Sequence, residues 1–314
     1  MSGDWKGMLD FFRPKNRKSE FKILAQTETP YNHVYVTQSG NNREMWFKGA
    51  GSFFLQSRVD IKSRKCLSLV YSRMLLASLL FQPAPRRILM VGLGGGAITN
   101  CLHEWFPETH IDVVEIDSKV IELCKKYFFL KETGNYWIHE VDGRLFVRQQ
   151  RGKEPYDLVY LDAFKSGSIP FHLKTREFYR EILDILAPEG VVGSNLYGKS
   201  NSLKPGDRQT FAALFKQIYC FEDPEKIAAV LIATNRERVW SQEDMLQRID
   251  MFQVPVPFSM REVVETYKPD KFIDNQAMIF EDDFSKAEMV KAIEKNNKNS
   301  TLFRAYPIKS THGG

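Results

Sequence analysis

The sequence predicts an α/β protein, a doubly wound parallel sheet preceded by a small antiparallel β-rich unit. Three observations predict it. Between Ile88 and Asn195 short apolar runs alternate with stretches of helical periodicity, the order that builds a parallel sheet with helices on both faces. The first of these runs ends in the glycine-rich turn Gly92-Leu93-Gly94-Gly95-Gly96-Ala97. Ahead of them, Glu20 to Gln56 shows only the two-residue alternation of strands, broken by turn residues.

The N-terminal unit reads as four strands, around Phe21-Leu24, His33-Val36, Glu44-Phe47 and Phe53-Leu55, and Ser39-Gly40-Asn41-Asn42 supplies turn chemistry between the second and third. From Ser63 to Phe81 the positions Leu67, Val70, Tyr71, Met74, Leu75 and Ser78 recur at helical spacing, so one bridging helix is expected, stopped by Pro83 and Pro85. Strand Ile88-Val91 follows, then helix Ala97-Trp105, strand Ile111-Val114, helix Ser118-Phe128, strands Trp137-Val141 and Leu158-Leu161, helix Thr175-Leu186 and strand Val191-Asn195. Helix Asp207-Phe215, strand Ala228-Ala233 and helix Gln242-Phe252 extend the unit, and Pro255-Val256-Pro257 marks a loop. The expected division is an arm and small sheet over 1–62, the main unit over 63–254 and a peripheral C-terminal segment over 255–314 with one charged helix, Ser285-Asn296.

With 314 residues, 43% hydrophobic and 26% charged, the chain has an ordinary globular composition and length enough for a large core. A net charge of +5 over this length does not argue for nucleic acid, and none is expected as a partner. The longest apolar run, Leu75 to Phe81, is far short of the roughly 20 residues of a membrane span. Met1 to Glu20 lacks the apolar stretch of a secretory signal, and its basic run Arg13 to Lys18 reads as a solvated arm. Cys66, Cys101, Cys124 and Cys220 are widely spaced, with no CxxC pair and no His cluster. They read as buried thiols; no metal is expected, and a cytoplasmic location is.

In a doubly wound sheet, ligands lie beyond the carboxyl ends of the strands. Gly92, Gly94 and Ala97 fit G-x-G-x-x-G/A, and Glu115 ends the next strand about 20 residues on, where a ribose-binding acid is expected. Asp142-Gly143 and Asp162-Ala163-Phe164 end the two strands after that. A nicotinamide dinucleotide would need only the glycines and Glu115. Acids repeated at the next strand ends suggest a ligand spread across the sheet, with ribose on Glu115, adenine near Asp142 and the reacting groups by Asp162. That arrangement favours an S-adenosyl sulfonium compound.

These residues resemble the spermidine synthase family, the polyamine aminopropyltransferases, over roughly Phe21 to Ala233. The resemblance implies a Rossmann-like, class I methyltransferase-type sheet and a homodimer built around the N-terminal unit. It also implies that Glu115 holds the ribose hydroxyls, Asp142-Gly143 lies beside the adenine and Asp162 takes the place of the catalytic aspartate. Gln56 matches the family's glutamine after the β-hairpins and Tyr71 its substrate-side tyrosine. The family's GGGDGG reads here with Gly95 in place of the aspartate, which faces the donor's ammonium. Intact as well as decarboxylated S-adenosylmethionine therefore becomes a possible donor substrate. The second aspartate of DxxDP is missing at Lys165, and YHE reads Tyr71-Ser72-Arg73.

The resulting expectation is a spermidine-synthase-like transferase that moves an aminopropyl-type alkyl group to a small amine, in the manner of polyamine biosynthesis, with Asp162 as base or orienting group. A methyltransferase on the same fold is the alternative, and a non-catalytic nucleoside-binding protein the second. His172 and Glu177 are further candidates for the substrate. For His172 a packing or hydrogen-bonding role is favoured over a second base. Glu177 in a first helical turn is explained by the helix dipole without function, yet could bind an amine. Asp162 could also serve only as an N-cap. The acids Glu281-Asp282-Asp283 read as a solvated edge.

Overall fold

The computed structural model describes residues 21–49, 52–63, 67–164, 169–196, 203–225, 228–269 and 277–282. Helix Ser285-Asn296, the basic run and Cys66 lie outside them. Four antiparallel strands, β1 (Phe21–Glu28), β2 (His33–Ser39), β3 (Asn42–Gly49) and β4 (Ser52–Asp60), pair in chain order. The β2–β3 turn is tight because Gly40 takes φ +58°. The β3–β4 ladder shifts register so that Met45 faces Ser57 and Trp46 faces Leu55. Gln56 is the extra residue of this bulge, a device that re-aims a side chain.

The main sheet has seven strands: β5 (Arg87–Val91), β6 (His110–Glu115), β7 (Tyr136–Glu140), β8 (Tyr156–Leu161), β9 (Leu186–Asn195), β10 (Gln217–Glu222) and β11 (Ala229–Thr234). Their order is β10-β11-β9-β8-β5-β6-β7. The strands from β9 through β7 pair in parallel, and β11 and β10 add an antiparallel edge. Expected strand Ala228-Ala233 is β11. Its partner β10 was not expected, because the chain reaches it from the preceding helix through a link of only a few residues that still reads as helical.

Both faces of the sheet are covered. Along β5, Ile88 and Met90 join one apolar cluster while Leu89 and Val91 join the other, which is how a near-continuous apolar strand is used in a parallel sheet. Among the described residues the α-helices are α1 (Val70–Leu75), α2 (Ser78–Phe81), α3 (Ala97–Trp105), α4 (Ser118–Tyr127), α5 (Gly143–Gln150), α6 (Arg176–Leu183), α7 (Lys204–Ala212), α8 (Gln242–Ile249) and α9 (Met260–Glu265). The expected bridging helix is broken into α1 and α2. Leu76 and Ala77 bond back only three residues, to Arg73 and Met74, and the Ser78 hydroxyl takes the Leu75 carbonyl at 2.8 Å while meeting the Tyr160 hydroxyl at 2.7 Å. A serine bonded to its own preceding turn and to the sheet replaces the regular helical ladder there.

The N-terminal sheet is fastened to the main unit through α4. The Thr29 hydroxyl donates to Asp117, the N-cap of α4, at 2.6 Å, and the Arg43 guanidinium donates to the Tyr127 carbonyl at its other end at 2.7 Å. The described piece of the C-terminal segment is anchored too, since Phe280 is 2% exposed.

Candidate active site

The chain runs from β5 to β6 and β7 on one side, then returns to place β8 and β9 on the other side of β5. The switch point, where an open α/β sheet takes its ligand, therefore lies between the carboxyl ends of β5 and β8. Gly92 and Asp162 meet there. A Cβ on Gly92, whose φ is +100°, would stand 2.5 Å from the Asp162 carbonyl oxygen, so only glycine fits. Gly94 and Gly96 also take positive φ, at +53° and +71°, which turns the loop over into α3.

One cleft opens beside this turn, walled by β4, α1 and the glycine loop, and Gln56, Tyr71, Gly94, Gly95 and Asp162 line it together. The single proton of the Tyr71 hydroxyl is shared between two acceptors, the Gln56 carbonyl at 3.2 Å and the Asp162 carboxylate. Asn195, at the end of β9, donates from Nδ2 to Asp162 Oδ1 at 2.8 Å. Loss of water raises the Asp162 carboxyl to about 7 against the pull of those two bonds. It is a carboxylate held by a tyrosine and an amide in the lining of a cleft, with a proton affinity suited to acid–base work near neutrality. Asn195 went unread in the sequence, although its place at a strand end beside Asp162 is the signal that could have found it.

Glu115, the last residue of β6, is not among the residues that line that cleft. Its carboxyl accepts the Leu93 N–H at 3.2 Å and the Asp117 N–H at 3.0 Å, and desolvation again raises it to about 7. Asp142 N-caps α5 through the N–H groups of Arg144 and Leu145 and accepts from His172 Nε2 at 2.8 Å. That imidazole bond is the main cause of its lowered pKa. Ile116 and Leu145, apolar yet 38% and 50% exposed, follow these two acids closely in the chain. Gly143 has a packing reason of its own, since a Cβ there would meet Val91 at 2.5 Å.

The candidate residues thus fall into two groups. Gln56, Tyr71, Gly94, Gly95 and Asp162 share the cleft, with Gly92 beneath it, whereas Glu115, Asp142, Gly143 and His172 belong to the strand ends on the β6–β7 side. Glu177 joins neither: its carboxylate accepts the Asp282 N–H at 3.0 Å. Asp282, expected at a solvated edge, is exposed and also paired with Arg144 at 2.8 Å. Cys124 is buried and donates to the Gly94 carbonyl at 3.0 Å, with burial pushing its thiol pKa up, and Cys101 and Cys220 are buried free thiols as well. Among the described residues no group of three His, Cys, Asp or Glu could hold a metal ion, and no helix is long and apolar enough to cross a membrane.

A glycine turn at a topological switch point, with acids at successive strand ends, defines a class: α/β proteins of the methyltransferase-like architecture. Solved structures agree on the fold. A probable spermidine synthase from Corynebacterium glutamicum superposes with a TM-score of 0.66 at 17% identity, over 84% of this chain and 98% of that one. Human methyltransferase-like protein 13 in complex with SAH gives 0.51 at 22% identity, over 71% and 97%. In sequence, the spermine/spermidine synthase domain model matches residues 68–250. A polyamine aminopropyltransferase of Vibrio vulnificus is 34% identical over 227 residues, 70% of this chain and 75% of that protein. The human eEF1A lysine and N-terminal methyltransferase is 28% identical over 43% of this chain and 21% of its own length. The chain belongs to the spermine/spermidine synthase family and is a transferase, as the sequence reading expected.

Proposed function

We propose that this protein transfers an aminopropyl-type group from an adenosyl sulfonium donor to a small amine in polyamine biosynthesis. The observation that carries the reading is the Asp162 carboxyl, raised to about 7 and held by Tyr71 and Asn195 at the switch-point cleft. The polyamine aminopropyltransferases among the relatives support it, as does the spermidine synthase in complex with the transition state analogue AdoDATO, a structural neighbour at a TM-score of 0.61.

In this reading Glu115 accepts the donor's ribose hydroxyls, Ile116 and Leu145 flank the adenine on the side of Asp142, and the sulfonium lies over the glycine loop toward Asp162. An amine of the lysine type has a pKa of about 10.4 and arrives protonated. Asp162 takes that proton. The freed nitrogen attacks the carbon next to sulfur, the new C–N bond forms as the C–S bond breaks, and its electron pair stays on sulfur as a neutral thioether. Gln56 and Tyr71 align the acceptor with that carbon, the main contribution an enzyme makes to an in-line displacement. The protein acts in the cytoplasm as a homodimer and binds neither nucleic acid nor metal.

Gly95 favours methyl transfer from intact S-adenosylmethionine as a second reading, because no acid stands there to hold an ammonium-bearing tail or to repel a carboxylate. Incubation with each donor and a set of diamines separates the two. Methylthioadenosine as by-product is the expected result; S-adenosylhomocysteine establishes methyl transfer, and neither by-product refutes both.

A further inference from the structure

Arg144 occupies the second position of α5, in the first turn, where the helix dipole disfavours a cation. Its guanidinium is nonetheless 8% exposed and saturated with partners. Nε and Nη2 grip Glu181 of α6 at 2.8 Å each, and Nη1 and Nη2 grip Asp282 at 2.8 Å each. Nη1 also donates to the His172 carbonyl at 3.3 Å. Two bidentate carboxylates on one planar fork fix its orientation closely.

Residues 277–282 supply one of those carboxylates and are themselves pinned. The Phe280 amide donates to the Thr210 hydroxyl at 3.0 Å and its carbonyl accepts the Arg176 N–H at 2.7 Å. Its ring lies against Gly206, where a Cβ would come within 2.4 Å, and 4.8 Å from the Lys174 ammonium. Thr175 donates to Asp282 at 2.8 Å. The other end of the connection is Asp142, which caps the helix carrying Arg144 and takes the His172 side chain at 2.8 Å, while Arg144 takes the His172 backbone.

We propose that Arg144 is a positioning residue for the donor: fastened by Asp282 of the C-terminal segment, it holds Asp142 and the turn at Phe171–Leu173 in the conformation that receives the adenine. This rests on the donor site proposed above. With the turn already ordered, binding has less conformational entropy to lose.

The test is titration calorimetry with 5′-methylthioadenosine, which carries the adenosine but no charged tail, on the full chain and three variants. Asp282→Ala is expected to weaken binding about tenfold, the equivalent of one charge-assisted hydrogen bond. Asp282→Glu, which returns a carboxylate to a half-exposed position, is expected to recover binding to within about threefold of the parent. Glu281→Ala breaks only the Arg176–Glu281 pair of the same segment and is expected to leave binding unchanged. Should the alanine variant not fold, Asp282→Asn, of the same shape, makes the same comparison. Unchanged affinity in Asp282→Ala with only a lower melting temperature overturns the inference and leaves the donor site standing, and so does equal weakening by Glu281→Ala. No binding by the parent chain overturns the donor site, and this inference with it.

Discussion

Replacing Asp162 by asparagine separates the chemical task of this carboxyl from its effect on stability. The side chain titrates at 3.8 in a model peptide and at about 7 in the fold, with desolvation as the main cause. A carboxyl raised in this way contributes stability that is fully present below its unfolded pKa and is lost as pH rises through the folded value. At pH 5.5 the loss is already about 1.7 pKa units, and at pH 8.5 about 3.2, so the wild type loses roughly 2 kcal/mol between those two conditions through this group. Asparagine keeps the shape and can accept from Asn195 but does not titrate. Glu115 is raised in both proteins and cancels in the comparison. The variant should therefore gain about 3 °C in melting temperature relative to wild type on going from pH 5.5 to 8.5, measured by scanning calorimetry. Its kcat should fall about a hundredfold to ten-thousandfold, the range for loss of a general base. A melting difference that does not change with pH refutes the desolvated carboxyl. Wild-type turnover in the variant refutes the base.

Three more predictions follow from the same geometry. Gly92→Ala places a methyl group 2.5 Å from the Asp162 carbonyl at φ +100°, and thermal unfolding should show a loss of roughly 2–5 kcal/mol; a melting point equal to the parent's contradicts the close approach. Glu115→Gln should weaken donor binding about tenfold at pH 8 by calorimetry, because a ribose hydroxyl bonds a carboxylate more strongly than an amide, and undiminished affinity removes Glu115 from the ribose. Gly95→Asp forces its Cβ to within 2.5 Å of Ser57 and should destabilise by about 1–3 kcal/mol, with Ser57→Gly in the same chain restoring the melting temperature. If the double variant stays unstable, Ser57 is not what excludes a side chain at position 95.

Much of the fold was legible because local patterns carry it. Helix Ala97–Trp105 has its expected bounds, since a glycine turn opens it and an apolar stripe runs through it. Other elements are decided by contacts distant in sequence. The break between α1 and α2 depends on Ser78 meeting Tyr160, and β10 is made a strand by its pairing with β11. Helix α5 went unread because five of its eight residues are polar, glycine included, and only Asp142 as its N-cap betrays it. In the candidate site, the strand-end rule picks out the acids directly, whereas Asn195, bonded to Asp162, and Arg144, bonded to the His172 carbonyl, show no motif. Arg144 does leave one trace: a cation against the positive end of a helix needs acids from elsewhere.

The three strand-end acids differ in a way that suits different tasks. Asp142 is held below the ordinary carboxylate range by His172 and stays charged through the neutral region, as a fixed wall of a site should. Glu115 and Asp162 are raised to about 7, each by loss of water. For Glu115, hydroxyl donors from a bound ribose would satisfy the carboxylate and lower its pKa again, so donor binding and ionisation of Glu115 favour each other and affinity should rise with pH through 7. For Asp162 the raised value narrows the gap to an amine near 10.4 from more than 6 units to roughly 3, which makes proton transfer from the acceptor far less uphill. A cationic sulfonium beside Asp162 lowers its proton affinity once more. The acceptor must therefore give up its proton to a carboxyl whose strength depends on the donor's presence, and the displacement does not remove that positive charge but moves it from sulfur to the newly alkylated nitrogen, an ammonium beside Asp162. A neighbouring cation, on sulfur before the displacement and on nitrogen after it, thus keeps the proton affinity of Asp162 lowered until the products leave, which favours release of the captured proton over its storage.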